Sequence, residues 1–190
     1  MRDGAAPGPA APTEERTTWS FSLLLTPDAL PGSGWQVVEE RSWPTGQLDP
    51  TGETSRRALE AGGITAWRKL ARPGRDEAWV EVVPYASAGD AQVALRRLPT
   101  FFVGVVPPGE TAVEERVVAD RPVDGLADPW ILDKTTSGDA GLRRARTVAG
   151  AVGPVLVLAC LAGPVDRWTW DDVLPLAVRQ VTRVIRALAR

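Results

Sequence analysis

The feature that most constrains this chain is Thr147 to Val165, TVAGAVGPVLVLACLAGPV, its longest run without a charged residue. About 18 consecutive apolar residues is the usual threshold for a helix that crosses a membrane. Gly150, Gly153 and Pro154 fall in the middle of this run, where a helix would lose hydrogen bonds and a hairpin would gain a turn. The Val-Leu-Val-Leu stretch beyond the break suits a strand covered on both faces. The run therefore reads as two buried strands and not as a membrane span. It predicts a sheet that the rest of the chain must cover.

The other elements follow from local pattern. Trp19, Phe21, Leu23 and Leu25 alternate, which predicts a strand from about Thr18. Trp35 to Trp43 reads as a strand with one wet face. Thr54 or Ser55 caps a short helix stopped by Gly62 and Gly63. ITAWRKLAR and EAWVEVVPY flank Arg72-Pro73-Gly74-Arg75, so a hairpin with a type II turn is expected. On its second strand Ala78, Val80 and Val82 share the core face, while Trp79, Glu81, Val83 and Tyr85 share the other. Ser87 and Asp90 form a capping box for a helix through Ala91, Ala94, Leu95 and Leu98, with Asp90, Arg96 and Arg97 on its outer face. Phe101 and Phe102 follow, placed to cover the core or rim a pocket. Val113–Asp120 and the stretch from Trp130 read as strands. Val173, Ala177, Val181, Val184 and Leu188 make the stripe of a closing helix, for which Asp171 or Asp172 is the favoured cap, because Thr169 would put Pro175 too deep.

Few helices among strands joined by short turns give an α+β fold, a twisted antiparallel sheet packed by a mid-chain helix and a long C-terminal helix. A chain of 190 residues suits one such domain, 18–190, after a flexible Ala-, Gly- and Pro-rich tail at 1–17. The tail has no apolar segment of the signal-peptide kind. Taken as complete the chain reads as cytoplasmic; trimmed of an export signal, it would be exported or tethered to a membrane.

LLLTPDALPGSGW, a strand running into YASAGDAQVALRRLP, and RTVAGAVGPVLVLACLAG before an amphipathic helix together resemble an actinobacterial group. It comprises the LpqN-type lipoproteins and the sensor domain of the kinase PknH. The resemblance spans about Thr18 to Arg190 and rests on the cadence of elements. It implies a PsbP-like α/β/α sandwich with a cleft that receives a ligand, and it carries over no catalytic constellation. Group members are generally exported and the PknH kind uses disulfides, whereas this chain has one cysteine, Cys160.

Composition narrows the chemistry. Without histidine, the commonest general base and the standard Ser and Cys triads are missing. Cys160 lies inside the apolar run and reads as a packing residue. A net charge of −2 with acids and arginines mixed gives no field for nucleic acid. The adjacent pairs Glu39–Glu40 and Glu114–Glu115 lie on strands, where neighbours point to opposite faces, so neither chelates a metal. With no phosphate loop or dinucleotide fingerprint, no cofactor is expected either.

Eight tryptophans are the compositional oddity. As packing residues they fill a core; as a site they would line a pocket, offering apolar area and one donor each. The candidate ligand-binding residues are Trp67, Trp79, Glu81, Tyr85, Phe101, Phe102 and Trp130, with no catalytic residue assigned. Three functions remain open. The first is a sensor-like domain binding an apolar small molecule or a protein. The second is an enzyme of the cyclase or isomerase type, using a lone carboxylate such as Glu81 or Asp133. The third is a structural or accessory protein. A drug-sized pocket holding several tryptophans and one buried carboxylate would favour the second over the first.

Overall fold

The computed structural model describes residues 14–48, 51–118 and 121–190. The apolar run folds as expected into β6 (Gly141–Val152) and β7 (Val155–Pro164). Gly153, at φ +55°, and Pro154 are the two residues of the turn between them. A positive φ followed by the negative φ of proline is the combination of a type II′ hairpin. Gly150 lies not in the turn but within β6, opposite Val157. A Cβ there would collide with the Leu126 side chain that covers the strand.

All seven strands join one antiparallel sheet in the order β1-β2-β3-β7-β6-β5-β4. The others are β1 (Gln36–Pro44), β2 (Ile64–Arg72), β3 (Asp76–Pro84), β4 (Thr111–Val117) and β5 (Trp130–Gly138). β7 is the central strand, and every residue from Val155 to Gly163 is buried, which explains its uninterrupted apolar sequence. The β2–β3 hairpin lies where expected, with β3 shifted by one residue from the EAWVEVVPY stretch. Its turn is longer than a type II turn, because Arg75 joins Gly74 at positive φ before Arg72 pairs with Asp76.

One face of the sheet carries the larger core. Ala66, Leu70, Ala78, Val80, Val82, Val157, Ala159 and Leu161 pack against Val173, Leu176, Ala177, Val181 and Val184 of α5 (Trp170–Leu188). The cap of α5 is Thr169, not Asp171 or Asp172. Thr169 donates through both its N–H and its hydroxyl to the Asp172 carboxylate, each at 2.8 Å. This earlier start buries Trp170 in the first turn, where Arg121 and Arg146 stack on its ring at 5.3 and 5.5 Å. Pro175 does sit deeper as a result, but on the exposed side, where a lost backbone bond is made good by water.

The N-terminal segment corrects a second expectation. Glu14–Ser22 is a helix, α1, so residues 14–17 belong to an ordered element; residues 1–13 of the expected tail lie outside the described part. Leu23, Leu24 and Leu25 are all buried, and alternation there was coincidental. Gln180 of α5 satisfies their backbone in place of a strand partner. Its amide donates to the Leu23 carbonyl at 2.8 Å and accepts from the Leu25 N–H at 3.2 Å. Glutamate-rich first turns favour helix starts, as in EER here.

The opposite face of the sheet is covered by α3 (Ala88–Arg97), with α2 (Glu53–Glu60) beside it and α4 (Pro99–Phe102) after it. The cap of α2 is Gly52, which leaves Thr54 and Ser55 inside the helix. Ser87 caps α3, accepting from Asp90 N–H at 3.1 Å. Asp90 is not on the outer face: it is buried against Arg57 of α2, and this pair ties the two helices together. Leu95 and Leu98 pack on Leu132, Ala149, Leu156 and Leu158, and α3 lies over β6 and β7. The same face of β1, β2 and β3 is left open, because no long helix lies over it.

Candidate functional site

The open half of that face is the floor of a cleft of about 730 Å³, within the range of small-molecule sites. Register explains which side chains meet on it. Arg41 of β1 lies opposite Trp67 of β2, Trp67 opposite Glu81 of β3, and Glu81 opposite Leu158 of β7. These four side chains form one row across the sheet. In the next row Trp43 is opposite Thr65, and Val83 is opposite Leu156. Ala94 and Arg97 of α3 with the following Leu98 make one wall, Phe101 and Phe102 of α4 a second, and Gly46–Leu48 with Thr54 and Ser55 of α2 a third.

Five of the seven residues expected from the sequence therefore converge: Trp67, Glu81, Tyr85, Phe101 and Phe102 all line the cleft. Trp79 and Trp130 do not. Trp79 shares the face of Glu81 but lies one row away, with Lys69 and Arg143 over its ring at 5.9 and 5.4 Å. Both cations are bridged by Glu77, so Trp79 is capped by an ionic lattice. Trp130 is buried beneath the wall and packs on Phe102 with ring centroids 5.7 Å apart.

Trp43 and Arg41 were readable as cleft residues only in retrospect, from their alternation on β1. Leu98 and Ala94 share the buried stripe of α3, which a sequence assigns to core before cleft. For Gly46–Leu48 no sequence signal existed; Gly46, at φ +90°, lies so close to the Ser55 backbone that a side chain would collide with it.

Glu81 sets the electrostatics. Open to the cleft, the residue is only half-buried by area, yet protein atoms crowd its carboxyl, and that burial pushes it up to about pKa 7. Among the described residues no hydrogen bond or ion pair reaches it. Asp133, the other candidate carboxylate, is by contrast fully engaged. Arg144 donates to both its oxygens at 2.7 Å, and Arg146 lies 3.5 Å away. Cys160 is buried on the same face, where burial pushes the thiol up to about 12, consistent with a packing role. Among the described residues no three Cys, Asp or Glu side chains are grouped to hold a metal, and no helix is long and apolar enough to cross a membrane.

The wall at Phe101 and Phe102 is held by an ion pair beneath it. Lys134 of β5 donates to the carbonyls of Phe102 at 2.9 Å and Val105 at 2.6 Å, and pairs with Glu115 of β4 at 2.6 Å. Glu115 in turn accepts from the Gly104 N–H. Phe101 itself is half exposed at the lip, with Arg97 stacked on its ring at 6.0 Å.

No family model and no curated protein matches the sequence. Among solved structures, the chain resembles the extracellular domain of PknH from Mycobacterium tuberculosis. That match has a TM-score of 0.55 at 14% identity, over 96% of this chain and 100% of the other. It also matches the Rv0999 ortholog from Mycobacterium smegmatis at a TM-score of 0.42 and 13% identity, over 81% of this chain and 90% of the other. The PknH likeness spans the whole fold. At such identity it speaks for architecture alone, an antiparallel sheet with helices packed on it.

Proposed function

We propose that this chain is a non-catalytic, sensor-like binding domain whose cleft receives an apolar small molecule. The observation that carries the reading is the cleft itself. Trp43, Trp67, Tyr85, Phe101 and Phe102 surround a volume of drug-like size on a sheet face that nothing else covers. Aromatic lining with few polar groups is the usual make-up of a small-molecule site. A concave floor of this size favours a small molecule over a protein. The fold likeness to an extracellular domain supports an exported setting over a cytoplasmic one.

Glu81 keeps the second reading alive. A carboxyl with a pKa near 7 in a cleft is suited to acid–base catalysis. Only two tryptophans line the cleft, and among the described residues Glu81 is the one carboxyl in its lining. Binding is thus the better-supported function.

Tryptophan fluorescence against a library of apolar compounds tests the proposal, since Trp43 and Trp67 report directly on the cleft. A saturable quench or spectral shift with at least one compound class is the expected result. No response from any compound, in a sample that is folded by circular dichroism, overturns it. Mass spectrometry showing turnover of a bound compound would select the enzyme reading instead.

A further inference from the structure

The geometry points to an organic cation as the occupant of the cleft, an apolar body carrying one positively charged nitrogen seated against Glu81. This rests on the cleft being a small-molecule site, and it names the ligand's charge.

Among the described residues three charged side chains face the cleft, one each from β1, β3 and α3. Arg41 is exposed, ion-paired with Glu39, and lies over the Trp67 ring at 6.0 Å. Arg97 is also exposed, stacked on Phe101, and already engaged. Both are rim groups in water, where their fields are screened. Glu81 is on the floor, between Trp67 and Leu158 of the neighbouring strands, with no partner among the described residues. A charge at a desolvated position acts far more strongly on a ligand than one at the rim. The phenol of Tyr85 is the remaining titratable group among the described lining residues.

The aromatic lining favours the same sign. Five rings line the cleft with Glu81, and the face of an aromatic ring is negative, so a ring face turned toward the cavity attracts a cation. A neutral apolar ligand would leave the ionised carboxyl unpaired, and an anion would be repelled by it. Only a cation draws on both the carboxylate and the rings.

The test compares benzyltrimethylammonium with its uncharged carbon isostere, neopentylbenzene, by tryptophan fluorescence titration. At about pH 8, where Glu81 is ionised, the ammonium compound should bind about tenfold more tightly than the isostere. The preference should shrink at about pH 5.5, where the carboxyl holds its proton. It should also be lost in Glu81→Gln at both pH values. Equal affinity for the two probes at about pH 8 overturns the cation assignment while leaving the cleft a small-molecule site. Binding of neither probe, in a protein that also ignores every other apolar compound, overturns the small-molecule reading and this inference with it. The pH profile of the unaltered protein decides the matter even if the Gln variant fails to fold.

Discussion

At the scale of single residues, Glu81 works against stability. Its carboxyl keeps the proton up to about pH 7 in the folded protein, but only to about pH 4.5 once unfolded, where it regains an ordinary carboxyl's value. Between those values the native state binds more protons than the unfolded state, so stability falls as pH rises and levels off above the folded value. Glu81→Gln removes this term. The variant should match the unaltered protein below about pH 4.5 and be more stable by about 1–2 kcal/mol at about pH 8. Urea unfolding followed at both pH values measures the difference, and equal stabilities at the higher pH would mean that the carboxyl is better solvated than its surroundings imply. Arg72 shows the opposite economy. It lies between the Trp35 and Trp168 rings at 5.0 and 4.9 Å and pairs with buried Asp76 at 2.8 Å, so its charge serves the core.

Among elements, the segment from α4 to Val105 forms the cleft wall yet has little apolar anchorage of its own. Val103 and Val105 are exposed, and Lys134 ties the backbone of Phe102 and Val105 to the sheet. Replacing it with methionine keeps the length of the side chain and removes the charge that satisfies two carbonyls and Glu115. Lys134→Met should cost about 1–3 kcal/mol of stability and raise amide exchange around residues 102–105 without changing that of β7. Hydrogen exchange by mass spectrometry reads both regions in one experiment. Unchanged exchange at 102–105 would show that the wall stands without the lysine. The sequence announced an apolar stretch at Phe101 and Phe102 but not its clamp. Lys134 and Glu115 look like surface charges until the register of β4 with β5 sets them opposite each other.

For the whole molecule, strand order predicts a gradient of protection. β7, flanked by β3 and β6 and covered on both faces, should exchange slowest, while β1 and β4 at the edges should exchange fastest. Exchange spread evenly over the seven strands would contradict this sheet order. The central place of β7 follows from its composition, since only a strand buried on both faces tolerates Val-Leu-Val-Leu-Ala-Cys-Leu-Ala without a polar residue.

Much was thus determined locally. The two strands of the apolar run, the β2–β3 hairpin, the two faces of β3 and the stripe of α5 follow from periodicity and turn residues, because steric and hydrophobic preferences act within a few positions. The tertiary structure decided the rest. It turned Trp19–Leu25 from a strand pattern into a helix and a buried turn, because Gln180, far along the chain, satisfies that backbone. It took Asp133 out of contention through arginines of the next strand, and it removed Trp79 and Trp130 from the cleft while leaving Trp67, Glu81 and Tyr85 there. Alternation says that residues share a face, but which of them stays open depends on where the helices come to rest. Here α3 lies over β6 and β7 and leaves β1 to β3 bare, and that choice made a cleft around Glu81.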